Sequence, residues 1–287
     1  MASKRPRKSR LRKDRLFILL VVFILAIVAL NKVLTVIIDF IVEKTQTVET
    51  VETVETVEYV DPLYKNDYEN IYLTRNGDYY SYDSDKYTSK LGIDVSYAQT
   101  EIDWEKVKAS GIDFVVIRAG YRGYTTGELN VDENFYQNLE GATNAGLEVA
   151  IYFFSQAVNT EEAIEEAGFT LKLIEGYNVS FVAIDMEDLE DEARIENLTQ
   201  EELTEATIAF CEKIKESGYD SVIYANRDWL FSKVSMVQLQ DVTNFWLAMY
   251  SNEMNYIYDF MIWQYTDEGS VDGIEGNVDM DLWIVEK

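Results

Sequence analysis

Residues 180–187 read SFVAIDME: four apolar residues in a row, then Asp185 and Glu187 separated by one methionine. A short apolar run with no polar alternation fits a strand buried on both faces, as in a parallel sheet covered by helices. Similar runs recur on either side. LGIDVS (91–96), DFVVIRAG (113–120) and EVAIYFFS (148–155) precede it; DSVIYAN (220–226), NFWLAMY (244–250), FMIWQYT (260–266) and NVDMDLWIV (277–285) follow. Between the first five strands lie helical patterns with start signals. Asp103 stands ahead of Trp104 and Val107, Asp132 ahead of Phe135 and Leu139, Asn159 ahead of Ala163 and Ile164, and Thr199 with Glu202 ahead of Leu203 and Phe210. Gly111, Gly146 and Gly218 supply the exits. The later strands have much shorter connections. This order predicts an α/β chain folded as a closed parallel barrel of the (β/α)8 type with its last helices reduced. An open doubly wound sheet is the alternative, but no glycine-rich phosphate turn follows the first strand.

Composition narrows the chemistry. The chain has 287 residues, 52 acidic against 25 basic, one cysteine and no histidine. Without histidine there is no Ser-His or Cys-His pair and no His-ligated zinc. A single cysteine excludes an intramolecular disulfide and an all-cysteine metal site. No cofactor and no metal are therefore expected, and acid–base work falls to carboxylates, Lys and Tyr. Cys211, beside Phe210, reads as a small buried apolar residue.

Residues 1–15 carry eight basic groups against Asp14 alone, which leaves 17 basic and 51 acidic residues in the rest. The segment from Leu16 to Ile38 is 23 residues, nearly all apolar. At roughly 1.5 Å per residue it reaches about 34 Å, enough to cross a bilayer. A cleaved signal peptide competes, but Ile27-Val28-Ala29 puts a bulky residue where a small one is needed, which favours an uncleaved signal anchor. The positive-inside rule then places 1–15 in the cytoplasm, 16–38 in the membrane and the acidic bulk outside. That acidity excludes nucleic acid as a partner. From Val48 the chain reads VETVETVETVEY, a triplet repeat matching neither helix nor strand periodicity. Residues 39–90 are expected to be an extended stalk ending in a tyrosine-rich linker, and 91–287 to be one domain.

Barrel enzymes carry their functional groups at the C-terminal ends of strands. Asp94, Asp185, Glu187, Asp267, Asp279 and Asp281 stand at or near such ends, with Arg118 as the evident cation among them. One acidic residue of this kind is most often a cap or an ion-pair partner. Several converging on one rim point to chemistry. Asp185 and Glu187, two apart, share a strand face, with Cβ atoms roughly 6–7 Å apart. One protonated and one ionised carboxyl at such a spacing suit glycoside hydrolysis, with the stereochemistry left open. Aromatic residues collect at the same ends, where they could stack on sugar rings or simply pack the rim. Tyr121, Tyr152, Tyr224, Tyr250, Trp263 and the neighbouring Gln264 are the candidate substrate-binding residues; Trp246 and Tyr265 belong to the same group of aromatics.

These residues carry a family resemblance that spans the domain. GIDVS (92–96) with Gln99 and IDW (102–104), FVVIRAGY (114–121), Asp132, Phe135 and Asn138 resemble the opening of the glycoside hydrolase family 25 muramidases, the Chalaropsis-type lysozymes. AGLEVAIYFFSQA (145–157), AIDME (183–187), IYAN (223–226), LAMY (247–250), WQYTDEG (263–269) and GIEGNVDMD (273–281) continue it in order. The resemblance implies a compact (β/α)5β3 barrel and hydrolysis of the β-1,4 bond between N-acetylmuramic acid and N-acetylglucosamine, with peptidoglycan glycan strands as the partner. It implies Glu187 as general acid, Asp185 as its partner at the reacting centre, and Asp94 and Asp279 as supporting carboxylates. Many members have Tyr-His where this chain has Tyr152-Phe153, so the second position is apolar here. A chitinase-like or N-acetylglucosaminidase reading is weakened by Ala183, which stands where a DxDxE run has its first Asp. A wall-binding module without catalysis is the non-enzymatic alternative.

Overall fold

The computed structural model describes residues 11–46, 60–187 and 193–287, and divides the chain into two units, Met1–Val60 and Asp61–Lys287. In the first unit, α1 (Leu11–Gln46) is a single helix. Its Phe17–Glu43 stretch has a mean hydropathy of 2.8 and is long and apolar enough to cross a membrane. The helix runs past Ile38, where the sequence reading ended the span, through Asp39 to Gln46. The VET repeats from Val48 to Tyr59 lie outside the described residues.

The second unit begins earlier than the sequence predicted. Residues 61–90, expected as the outer part of the stalk, are folded with the barrel. The Asn66 side chain donates to the carbonyls of Tyr256 and Tyr258 (2.8 and 2.6 Å), and the Tyr68 hydroxyl donates to that of Phe260 (3.0 Å). The Tyr68 ring meets Tyr82, Tyr87 and Phe260 edge-on. A hairpin of β1 (Leu73–Asn76) and β2 (Tyr79–Tyr82) follows. Several tyrosines of this stretch are packing groups: Tyr80 and Tyr82 are buried, and the Tyr68 ring packs while its hydroxyl takes a backbone partner.

The chain continues through β3 (Tyr87–Val95), α2 (Trp104–Ala109), β4 (Phe114–Arg122), β5 (Leu129–Val131), α3 (Phe135–Asn144), β6 (Glu148–Phe154), α4 (Thr160–Leu173) and β7 (Phe181–Asp185). Then come α5 (Gln200–Glu216), β8 (Asp220–Asn226), α6 (Arg227–Ser232), α7 (Met236–Leu239), β9 (Asn244–Ala248), β10 (Ile262–Gly269) and β11 (Val278–Glu286). Strands β3, β4, β6, β7, β8, β9, β10 and β11 form a closed eight-stranded barrel, sealed where β3 pairs with both β4 and β11; β5 only extends β4 as a hairpin. The barrel is not wholly parallel. β11 runs antiparallel to both β10 and β3. A parallel crossover needs a dozen or more residues, and the link at 270–277 is too short to supply one.

Period-2 alternation divides the strands between two cores. Val182 and Ile184 of β7 face outward with Val115, Ile117, Ile151 and Phe153, in the larger cluster that includes helix residues such as Phe135, Phe210 and Ile214. Phe181 and Ala183 face inward with Phe114, Val116, Val222, Trp246 and Ile262. Both faces are buried, which is why the strands read as unbroken apolar runs. The helices start largely as their caps predict: Asp103 accepts from the Lys106 amide, Asn159 from that of Glu162, and Thr199 and Glu202 form a reciprocal capping box. Asp132 does not cap α3 directly. It accepts from the backbone of Asn134 and Tyr97 and pairs with Arg118.

Gly92 shows how tightly the barrel is filled. It lies opposite Phe114 in the β3–β4 register, and a Cβ there would sit 2.2 Å from the Phe114 ring. Replacing Gly92 by Ala is therefore expected to cost about 1–3 kcal/mol through overpacking. Thermal melts should show a lower Tm for Gly92→Ala and partial recovery when Phe114→Leu is added. An unchanged Tm for the single variant would contradict this packing.

Candidate active site

Asp185 is the last residue of β7, and its inward side chain follows from those of Phe181 and Ala183 on the same face. Glu187 lies two residues further, beyond the strand end. Both line a cavity of about 210 Å³ at the barrel mouth, together with Asp94, Asp279, Tyr152, Tyr224, Trp246, Tyr250 and Gln264. Three strands, β3, β7 and β11, and the chain just beyond β7 thus bring all four sequence-predicted catalytic carboxylates to one place.

The direction of β11 explains how Asp279 gets there. It stands at the start of its strand, and because the strand is antiparallel, that start lies at the rim where the other strands end. Asp279 is opposite Asp94 in the register. Directly opposed residues on antiparallel strands bring Cβ atoms to about 4.5–5.5 Å. Asp281, two residues on, shares the inward face one step deeper. It is fully buried and accepts a hydrogen bond from the Trp246 indole at 2.7 Å. Asp279 is therefore the cavity residue and Asp281 a supporting one.

Gln264 ties the mouth together. Its amide oxygen accepts from the hydroxyls of Tyr224 (2.9 Å) and Tyr250 (3.1 Å), which leaves its amide nitrogen to donate to Asp94 at 2.8 Å. The two tyrosines thereby fix which end of the amide faces Asp94. Trp246 forms an aromatic wall, 4.6 Å from the Tyr224 ring and 6.1 Å from that of Tyr152, both edge-on.

Burial governs the electrostatics. It is the main cause pushing the Asp94, Asp185, Glu187, Asp279 and Asp281 carboxyls above the ordinary carboxylate range, with Asp279 at about 6. Like charges add to it: Asp279 raises Asp94 and Glu187, and Glu187 raises Asp185. Arg118 acts the other way on Asp185. Its guanidinium is held by Asp132 at 2.7–2.8 Å and lies 4.9 Å from the Tyr97 ring and 5.6 Å from that of Tyr121. The group as a whole is pushed toward holding protons, while Arg118 favours ionisation of Asp185. One shielded oxygen of Asp185 has no hydrogen-bond partner among the described residues.

Two of the sequence-predicted substrate residues lie elsewhere. Trp263 is fully buried, donates its indole N–H to the Met249 carbonyl at 2.7 Å and packs on Tyr80 and Tyr265. Its neighbour Gln264 faces inward, so alternation turns Trp263 outward. Tyr121 is on the rim beside Arg118 and does not line the cavity. Asp267, in β10, does not line the cavity but raises Asp279 and Tyr250 through its charge. Trp246 is a wall residue that the same alternation rule, applied to β9, would have selected. Phe153, the position where many relatives have His, points out of the barrel and packs near Phe169 (6.1 Å). The apolar replacement therefore removes nothing from the cavity. A second cavity of about 750 Å³ adjoins the first, sharing Glu187, Tyr224 and Tyr250 and continuing past Asn226, Arg227 and Ser232. Glu187 lies on the boundary between the two.

Comparison with known proteins bears on the family of the chain. Residues 93–274 match the family described as glycosyl hydrolases family 25. The chain belongs to that family. The autolytic lysozyme of Clostridium acetobutylicum is 27% identical over 192 residues, which is 66% of this chain and 54% of that protein. Among solved structures, the modular autolysin LytC of Streptococcus pneumoniae, in complex with a synthetic peptidoglycan ligand, aligns with a TM-score of 0.58 at 24% identity, covering 68% of this chain and 46% of LytC. The bacterial lysozyme of Streptomyces coelicolor aligns with a TM-score of 0.56 at 23% identity, covering 67% of this chain and 90% of that one. These two likenesses establish the family 25 fold. The chain spans about half the length of the autolytic lysozyme and of LytC.

The buried carboxyls have a measurable consequence for folding. The Asp281 pKa is raised in the folded state, so the folded protein holds this proton to higher pH than the unfolded chain does. Asp281 therefore subtracts stability progressively as pH rises above the ordinary carboxylate range. Asp281→Asn keeps an acceptor for Trp246 and removes the titration. It should raise Tm at pH 7, by about 2–4 °C for each kcal/mol recovered, and change it little at pH 4. An equal effect at both pH values would contradict the assignment.

Proposed function

We propose that this family 25 protein is a muramidase that hydrolyses the β-1,4 bond between N-acetylmuramic acid and N-acetylglucosamine in peptidoglycan. The observation that carries the proposal is the pairing of Glu187 and Asp185 in one cavity with unequal surroundings. Glu187 borders both cavities, and burial and Asp279 help it keep its proton. Asp185 is deeper; burial and Glu187 push its carboxyl up as well, and Arg118 is the cation that opposes them. A glycan strand lying along the two cavities would present its glycosidic oxygen to Glu187. Glu187 donates its proton to that oxygen as the bond to the anomeric carbon breaks, and the Asp185 carboxylate stabilises the positive charge that develops on the sugar. Water then supplies a hydroxyl to the anomeric carbon, and its remaining proton restores the carboxyl. Asp94 and Asp279 complete the carboxyl cluster around this pair, with Asp94 oriented by Gln264. Tyr152, Tyr224, Tyr250 and Trp246 offer the apolar faces and hydroxyls that a sugar ring requires. The activity stated for the autolytic lysozyme and the peptidoglycan ligand of LytC agree with this substrate.

The wall glycan lies outside the cell membrane, and the N-terminal half of the proposal follows from that. Helix α1 serves as an uncleaved single-pass anchor, with residues 1–15 on the cytoplasmic side and the catalytic unit outside. Such a tether favours local opening of the producer's own wall.

Glu187→Gln tests the acid directly, because it removes the proton and keeps the shape. Release of soluble fragments from purified peptidoglycan should fall by about 10²–10⁴-fold, with the far-UV spectrum and the melting transition retained. A folded variant with most of its activity left would overturn the assignment.

A further inference from the structure

The β1–β2 hairpin lies before the region shared with the family, which begins at residue 93. It packs against the catalytic mouth through the turn at 250–252. Arg75 donates to the Asn252 side-chain oxygen at 2.7 Å and to the Gly77 carbonyl at 2.9 Å, and its guanidinium lies 5.3 Å from the Tyr80 ring centre. The Tyr80 hydroxyl reaches the backbone and side-chain oxygens of Asn252 at 3.4 and 3.3 Å. On the other side, the Tyr265 hydroxyl donates to the Asp78 carbonyl at 3.0 Å. Hairpin, turn and β10 thus enclose a third cavity of about 250 Å³, and Tyr250 borders it as well as the catalytic cavity and the neighbouring groove.

The lining of this cavity differs from that of a sugar site. It carries charges of both signs, Arg75 against Asp78 and Glu268, among the polar groups of Asn252 and Thr266. The acetylated sugars of the glycan are uncharged once the lactyl group of muramic acid is amidated. The peptide on that lactyl group is what carries free carboxylates and, where it is not cross-linked, an amine. A cavity one tyrosine away from the reacting bond and charged in both senses fits that peptide. We propose that the cavity between the β1–β2 hairpin and the 250–252 turn is a subsite for the stem peptide of the muramic acid residue being cleaved, with Arg75 receiving a peptide carboxylate. This inference rests on the muramidase reading for the identity of the ligand. Its consequence is selectivity: glycans that retain their stem peptides bind better than stripped ones.

Binding tests it without turnover. The full chain carrying Glu187→Gln, in detergent, is titrated calorimetrically with N-acetylglucosaminyl-N-acetylmuramic acid bearing a stem tetrapeptide, and with the same disaccharide lacking the peptide. The peptide-bearing ligand should bind about tenfold more tightly. Adding Arg75→Glu should remove most of that advantage, while Arg75→Lys, which keeps the charge, should preserve the larger part of it. Equal affinities for the two ligands, no binding of the peptide-bearing one, or an advantage that survives charge reversal would each overturn the proposal. Failure of the muramidase reading registers separately, as wild-type protein that opens no glycan bond in intact wall.

Discussion

Putting carboxyl groups inside the mouth of a closed barrel is the constraint on which the rest of this structure depends. Water would keep Asp94, Asp185, Glu187, Asp279 and Asp281 ionised at neutral pH; burial opposes that for all of them. The apolar plug of Phe114, Val116, Phe181 and Ile262 fills the interior beneath them, and Gly92 leaves the space that the Phe114 ring occupies. The antiparallel β11 adds Asp279 from a strand start, and the hydroxyls of Tyr224 and Tyr250 set the Gln264 amide toward Asp94. An array that holds protons above the usual carboxylate range, with Arg118 favouring ionisation at one member, can do acid chemistry without histidine. That is the physical basis of the proposed acid catalysis in a chain that has none.

A second ionic network lies away from the carboxyl cluster: Arg194 donates two bonds to Glu162 at 2.8 Å each and a third to the Gln156 carbonyl at 2.9 Å. Glu162 lies in the first turn of α4, whose Glu166 is buried against Arg122 at 2.7 Å and Ser155 at 2.6 Å. Burial pushes the Glu166 carboxyl up to about 7, against the pull of those partners. Arg122 also bonds Glu165 and the Gly127 carbonyl. One ionic network therefore joins the end of β4, the start of α4 and the segment at Arg194. Removing Arg122 would leave a buried carboxylate uncompensated, a costlier change than loss of a surface pair.

Most of this architecture was legible in the chain because a barrel strand buries both faces, and burial writes itself as runs such as SFVAIDME. The carboxylates were legible because strand ends collect them. What escaped depended on contacts far apart in sequence. The direction of β11 follows from the short link before it, yet a run of apolar residues reads alike in either direction. Trp263 and Gln264 are neighbours on opposite faces, and periodicity separates the faces without saying which is inside. Residues 61–90 looked like stalk because the partners of Asn66, Tyr68 and Tyr80, namely Tyr256, Phe260 and Asn252, lie 172–192 positions later. Arg118 was visible as a cation, but its hold on Asp132 and its influence on Asp185 are tertiary facts.

The family, the four rim carboxylates and the cavities beside them are what the proposed cleavage of the wall glycan rests on. The most direct measurement is to digest purified peptidoglycan with the intact protein, reduce the new ends with borohydride and identify the reduced sugar by mass spectrometry. The account predicts reduced N-acetylmuramic acid. Reduced N-acetylglucosamine, or no new ends at all, would contradict it.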